Sequence, residues 1–241
     1  PITESAKSVV FEGDNIKIRK ISALAELDKK TVQQAENLVP IYPFQKWKQL
    51  TGADFKQAES KAAAVGKLEH ANFLFSQGLY SEANSRVSGF DYNTPNFIRA
   101  VGNFMLGRYN EAALGFDSVK PDQNADYNEL TMWKIAANQM LSEHNPSGVV
   151  MPNVDGFALT KNLQNYPDKV LTKALLPVIE YFADNNEPEK ADLYIKSLPK
   201  TLDAPTASYA SYLQAKVYAA QNKKARAREL FQKVVDADTD R

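Results

Sequence analysis

His70 and His144 are the only imidazoles in the chain, and imidazole is the side chain best suited to move a proton or hold a metal near neutral pH. Neither has a partner at metal-ligand spacing. His70 falls near the core face of a helical run and reads as a packing residue, while His144 sits in a turn beside Glu143 and reads as exposed. Nucleophilic catalysis needs an activated hydroxyl or thiol. The chain has no G-x-S-x-G turn and no cysteine, which also excludes disulfides and zinc fingers. Gly66-Lys67 lacks the upstream glycine and following hydroxyl of a phosphate loop, and no G-x-G-x-x-G occurs. Glu187 and Glu189 are a close acidic pair, but they fall in the first turn of a helix, where a carboxylate suits the positive end of the dipole. The sequence thus predicts no catalytic residue, metal ligand or cofactor, and the chain reads as non-enzymatic.

The 241 residues are 44% hydrophobic and 24% charged, enough apolar material for a large core. Basic and acidic residues balance at 29 each, whereas a general nucleic-acid binder carries a basic surplus. Lys17-Ile18-Arg19-Lys20 and the run Lys223 to Arg228 read as solvated faces. No apolar run is long enough to span a membrane. The chain starts at Pro1 with no charged-then-apolar leader, so it reads as a mature or trimmed fragment of a larger, multidomain protein. A cysteine-free chain fits the bacterial cell envelope, so a periplasmic location is favoured over a cytoplasmic one.

The elements that would position any binding residues announce themselves by repetition. Gly78-Leu79-Tyr80-Ser81-Glu82-Ala83 and Gly107-Arg108-Tyr109-Asn110-Glu111-Ala112 are near-copies of one phrase. Each follows a run dense in aromatic and aliphatic residues and opens another. Glycine supplies the positive φ of a helix end. The tyrosine wedges between two helices, the glutamate faces the dipole of the second helix, and the alanine lets it approach closely. Ala83, Val87 and Phe90 in one copy, and Ala112, Phe116 and Val119 in the other, recur at helical spacing. The rhythm returns at Asn186 to Ala191 and Asn222 to Ala227, with asparagine at the left-handed position and Pro188 at a first helical position. The long gap between the second and third copies leaves room for one more divergent pair.

This pattern resembles the tetratricopeptide repeat. Ala71, Gly78, Tyr80 and Ala83 carry the likeness first, then Ala100, Gly107, Tyr109, Ala112 and Phe116, and finally Ala215, Tyr218, Ala227 and Phe231. It covers residues 67–236, is poor over 143–170, and lacks the early tryptophan of the family pattern in every copy. The resemblance implies an all-α, right-handed solenoid of stacked antiparallel helix pairs. It also implies a scaffold for protein–protein contacts, with a concave groove lined by the first helix of each pair.

Along the chain, residues 1–21 read as an extended or β-hairpin segment, with branched and aromatic residues flanking Gly13-Asp14-Asn15, and link to an absent upstream domain. Residues 22–66 read as capping helices, with Ser22 and Asp28 as N-caps and Phe44, Trp47 and Leu50 on one helical face; Pro40 and Pro43 force Ile41-Tyr42 to be extended or turned. Residues 67–241 read as the repeats, interrupted at about 143–167. There Asp155 is expected to cap a short helix ending at Gln164, Asp168 to cap a long helix, and Pro177 to kink or split it.

Carried onto this chain, the resemblance puts Leu68, Asn72, Phe75, Phe97, Val101, Phe104, Glu180, Asp184, Tyr209, Tyr212 and Lys216 on the groove. Its early part is apolar and would take a helix or an extended peptide of a protein partner. Two alternatives stay open. The aromatic stripe is core rather than groove, covered by the chain's own Phe44 and Trp47 region; or the domain is a structural spacer or homo-oligomerising module without a groove ligand. A lysine–asparagine clamp for a terminal carboxylate is rejected, because only Asn72 matches, with Leu68 and Ile98 where a lysine and a second asparagine belong.

Overall fold

The computed structural model describes residues 7–12, 15–20, 38–144, 149–154 and 159–239. The chain divides into two units, Pro1–Val39 and Pro40–Arg241. In the first, the backbones of β1 (Lys7–Glu12) and β2 (Asn15–Lys20) pair antiparallel, Lys7 opposite Lys20 and Glu12 opposite Asn15. The expected caps Ser22 and Asp28 lie outside the described residues.

The described residues of the second unit are helical and irregular, with packed neighbouring helices throughout. α1 (Gly52–Val65) precedes α2 (Lys67–Ser76) and α3 (Tyr80–Val87); α4 (Asn93–Met105) and α5 (Tyr109–Ser118) follow. Then come α6 (Tyr127–His144), a 3-10 turn (Lys161–Asn165), α7 (Asp168–Asp184), α8 (Pro188–Lys196), α9 (Ala204–Ala220) and α10 (Lys224–Thr239).

Four tight turns close four helix pairs in one way. Gly78, Gly107, Asn186 and Asn222 take φ of 78°, 78°, 58° and 62°. In each case the next amide donates back to a carbonyl five residues earlier: Leu79 to Leu74, Arg108 to Asn103, Glu187 to Phe182 and Lys223 to Tyr218. This bond satisfies a carbonyl the helix end would leave orphaned, and only glycine or asparagine adopts the required conformation cheaply. The tyrosines of the repeated phrase do wedge as expected: Tyr80 meets Phe75, and Tyr109 meets Phe104, with ring centroids 5.4 Å apart in both. Ala83, Ala112 and Ala191 are fully buried between paired helices. Gly115 of α5 sits so close to α4 that a Cβ there would come 2.9 Å from that of Ala100.

The middle of the array departs from the expected additional pair. Among the described residues no α-helix lies between α6 and α7. Residues 149–154 and 159–160 carry no regular secondary structure, and by Thr160 the chain is back at the start of α6. There Thr160 Oγ1 donates to Asp126 and Tyr166 OH donates to Glu129. α7 therefore starts where α6 starts, and both act as first helices. The cap of the short turn is Thr160, whose hydroxyl accepts the Asn162 amide at 3.3 Å, and not Asp155, which lies outside the described residues. Asp168 is the first residue of α7 rather than its cap, and α7 runs unbroken through Pro177. Gly66, at φ 151°, separates α1 from α2.

The expectation of a helical face at Phe44, Trp47 and Leu50 is overturned. Residues 40–50 contain no helix. Pro40 and Pro43 disfavour a helix here: the chain bends at Ile41-Tyr42, with the Phe44 amide bonded back to the Tyr42 carbonyl, and Tyr42 and Phe44 are buried while Pro43 and Gln45 are exposed.

Candidate functional site

The non-helical segment 40–50 lies across the face made by the first helices α2, α4 and α6. Phe44 is its central anchor. Its ring stacks on Tyr166 at 4.0 Å and meets Phe75 and Phe97 at 6.2 Å each. Tyr42 packs edge-on against Phe75 at 5.5 Å and donates its hydroxyl to Asn72 Oδ1 at 3.3 Å. Trp47 closes the other side of Phe75 at 5.8 Å. The polar contacts reach the segment's backbone. Ile41 N–H donates to Glu129 Oε2 at 2.8 Å, Leu50 N–H to Gln77 Oε1 at 2.8 Å, and Gln77 Nε2 donates to the Lys48 carbonyl at 3.2 Å. Lys46 pairs with Asp168 at the start of α7.

Of the expected groove residues, Phe75, Phe97, Val101 and Phe104 are fully buried, and Leu68 and Asn72 partly so. Phe75 and Phe97 are covered by the segment. Phe104 is buried by the array itself, against Tyr109 and Trp133 at 5.4 Å each. The aromatic stripe is therefore packed inside the fold by the chain's own residues.

Beneath the segment is a polar cluster that the sequence reading missed. Glu129 is 0% exposed and its carboxylate accepts from Ile41 N–H and Tyr166 OH. Trp133 Nε1 donates to the same tyrosine oxygen at 3.1 Å. Burial pushes the Glu129 carboxyl up to about 7, against the opposing pull of the Tyr166 hydroxyl and the Ile41 amide. Burial next to this carboxylate raises the Tyr166 phenol well above its ordinary range. A carboxyl titrating near neutrality beside a tyrosine has the makings of acid–base chemistry. Yet both side chains are 0% exposed, and five cavities of 280 to 560 Å³ in this unit are lined by neither of them. In this geometry the pair anchors the segment and the return loop.

The five expected residues of the later half come together in the open. Tyr209 OH donates to Glu180 Oε2 at 2.6 Å. Lys216 Nζ pairs with Asp184 and lies 3.8 Å from Glu180. The rings of Tyr209 and Tyr212 stack at 6.2 Å, and the Lys216 ammonium sits 5.6 Å from the Tyr212 centroid. Both tyrosines remain more than a third exposed, at 37% and 36%. Partial burial, then the Glu180 hydrogen bond, raises the Tyr209 phenol. Burial lowers Lys216, but Asp184 and Glu180 outweigh it and hold its ammonium above the ordinary lysine value.

His70 is buried, with Nε2 3.4 Å from Glu59 Oε1. Among the described residues no group of three or more acidic or histidine side chains is placed to hold a metal ion, and no helix is long and apolar enough to cross a membrane. Comparison of the chain with family models, with curated proteins and with solved structures gave no match.

Proposed function

We propose that the chain is a divergent tetratricopeptide-like repeat domain, wound in the right-handed sense of that family, and a non-enzymatic scaffold within a larger bacterial protein. The strands β1 and β2 would form the hairpin that links it to what precedes it. It binds a peptide or protein segment on the first-helix face of α7 and α9. The observation that carries this reading is the contrast along that face. The aromatic stretch at Phe75 and Phe97 is filled by residues 40–50, whereas the exposed rings of Tyr209 and Tyr212 stack on each other and are held by the partly buried Glu180 and Lys216. Stacked tyrosines with a fixed charge pair offer apolar area at little ordering cost, the usual character of a binding anchor.

A photo-crosslinker at Tyr212, compared with one at Leu114, which is 64% exposed on the second helix α5, tests the assignment. A crosslinked partner from position 212 only, lost on Lys216→Glu, supports it. No product, or the same products from both positions, overturns it.

The second reading is a structural spacer or homo-oligomerising module. It is favoured by the burial of the expected groove under the chain's own Tyr42 and Phe44. Sedimentation of the chain with and without Tyr212→Ala separates the two: a self-association that this change abolishes assigns the patch to a second copy.

A further inference from the structure

We propose that the face formed by α2, α4 and α6, with Tyr166 and Asp168 at its edge, is a recognition site for a turned aromatic–proline–aromatic peptide. Its resident ligand is the chain's own segment 40–50, held in cis and replaceable by the same peptide in trans. The contacts are those of a receptor to a peptide and not those of an element to its sheet or bundle. Within residues 40–50 the only backbone bonds are Phe44 N–H to the Tyr42 carbonyl and Trp47 N–H to the Gln45 carbonyl, both 2.8 Å. Its remaining main-chain bonds go to receptor side chains: Ile41 N–H to Glu129, and Leu50 N–H and the Lys48 carbonyl to the two ends of the Gln77 amide. A side-chain amide that both accepts from and donates to one main chain reads backbone, independent of sequence. Sequence is read through two buried aromatic rings, Tyr42 at Asn72 and Phe75, and Phe44 between Tyr166, Phe75 and Phe97, while Lys46 makes an exposed ion pair with Asp168. Pro43 and Gln45 face outward between them.

The receptor walls also have partners within the repeats. Phe75 rests on Tyr80, Phe97 on Phe116 and Trp133, and Tyr166 on Trp133. The segment is joined to α1 through Thr51. A covalent tether raises the local concentration of the resident peptide and masks the site from free peptide. The site is separate from the Tyr209–Tyr212 patch, so the two assignments stand or fall independently.

The test uses the full chain carrying Tyr42→Ala and Phe44→Ala, and a fluorescein-labelled synthetic peptide of sequence LVPIYPFQKWKQL, residues 38–50. By fluorescence polarisation the double variant is expected to bind it saturably, at least about tenfold tighter than the unaltered chain, whose site is occupied. A peptide with alanine at the Phe44 position loses this binding, Gln77→Ala in the receptor weakens it several-fold, and saturating peptide raises the Tm of the variant. A helical variant that does not bind the peptide overturns the proposal. So does a variant that loses its helical circular dichroism and does not recover it with peptide, because the segment is then an inseparable part of the core.

Discussion

Phe97→Ala decides whether the aromatic stripe is surface or interior. The ring is 0% exposed and lies between Tyr42 at 6.5 Å, Phe44 at 6.2 Å, Phe116 at 5.9 Å and Trp133 at 6.4 Å. Truncation removes the ring from four neighbours drawn from the segment 40–50, α5 and α6, and leaves a cavity among them. Loss of a buried phenylalanine costs about 3–5 kcal/mol. A domain of this size loses roughly 2–4 °C of Tm per kcal/mol, so the midpoint should fall by about 6–20 °C. Thermal unfolding followed by circular dichroism at the helical minimum, with a urea titration as a second measure, reads this directly. A midpoint within about 2 °C of the unaltered chain, well below the fall that a buried ring predicts, would refute the packing argument and return Phe97 to the list of free binding residues.

Glu129 gives a pH signature. Its carboxyl is raised from 4.5 to about 7 in the folded chain, so the folded form holds the proton more tightly. Its contribution is complete below the unfolded value and is lost as pH rises through about 7. Urea midpoints should therefore fall between about pH 5 and pH 8, by on the order of 3 kcal/mol from this group, and Glu129→Gln should flatten the slope. Gly107→Ala, at φ 78° with open space around it, should cost about 1–2 kcal/mol from backbone conformation alone. Gly107→Asn should cost less, since Asn186 and Asn222 hold the same conformation. Lys46→Ala breaks an ion pair whose partners are 55% and 62% exposed, and should change stability by less than about 1 kcal/mol in chemical denaturation.

The turns were legible because their chemistry is local. A left-handed backbone angle admits glycine and asparagine, so Gly78, Gly107, Asn186 and Asn222 mark helix ends whatever surrounds them. Ala83, Ala112 and Ala191 were legible for a similar reason: close helix approach demands a small side chain. Residues 40–50 misled because Phe44, Trp47 and Leu50 recur every three residues, as on a helix. The overriding signals were Pro40 and Pro43, which exclude a helix and favour a bend between Tyr42 and Phe44. Glu129 had no local signal at all. It stands in the first turn of α6 like any dipole-complementing glutamate, and only the return of Tyr166 and the arrival of Ile41 bury it. The side chains of Glu180, Tyr209, Tyr212 and Lys216 do meet, because they lie on the neighbouring helices α7 and α9.

A linear stack of hairpins ordinarily frays from either end, since each unit touches only its neighbours. Residues 40–50 change that topology. The Lys46–Asp168 pair spans 122 positions, and together with the Gln77 and Glu129 contacts it ties α2 to α6 and the start of α7. The front of the array is thereby closed like a buckled belt, and its helices should exchange their amide hydrogens as one cooperative block. α9 and α10 lie beyond the buckle, so they are the part that should peel away first under tension or heat.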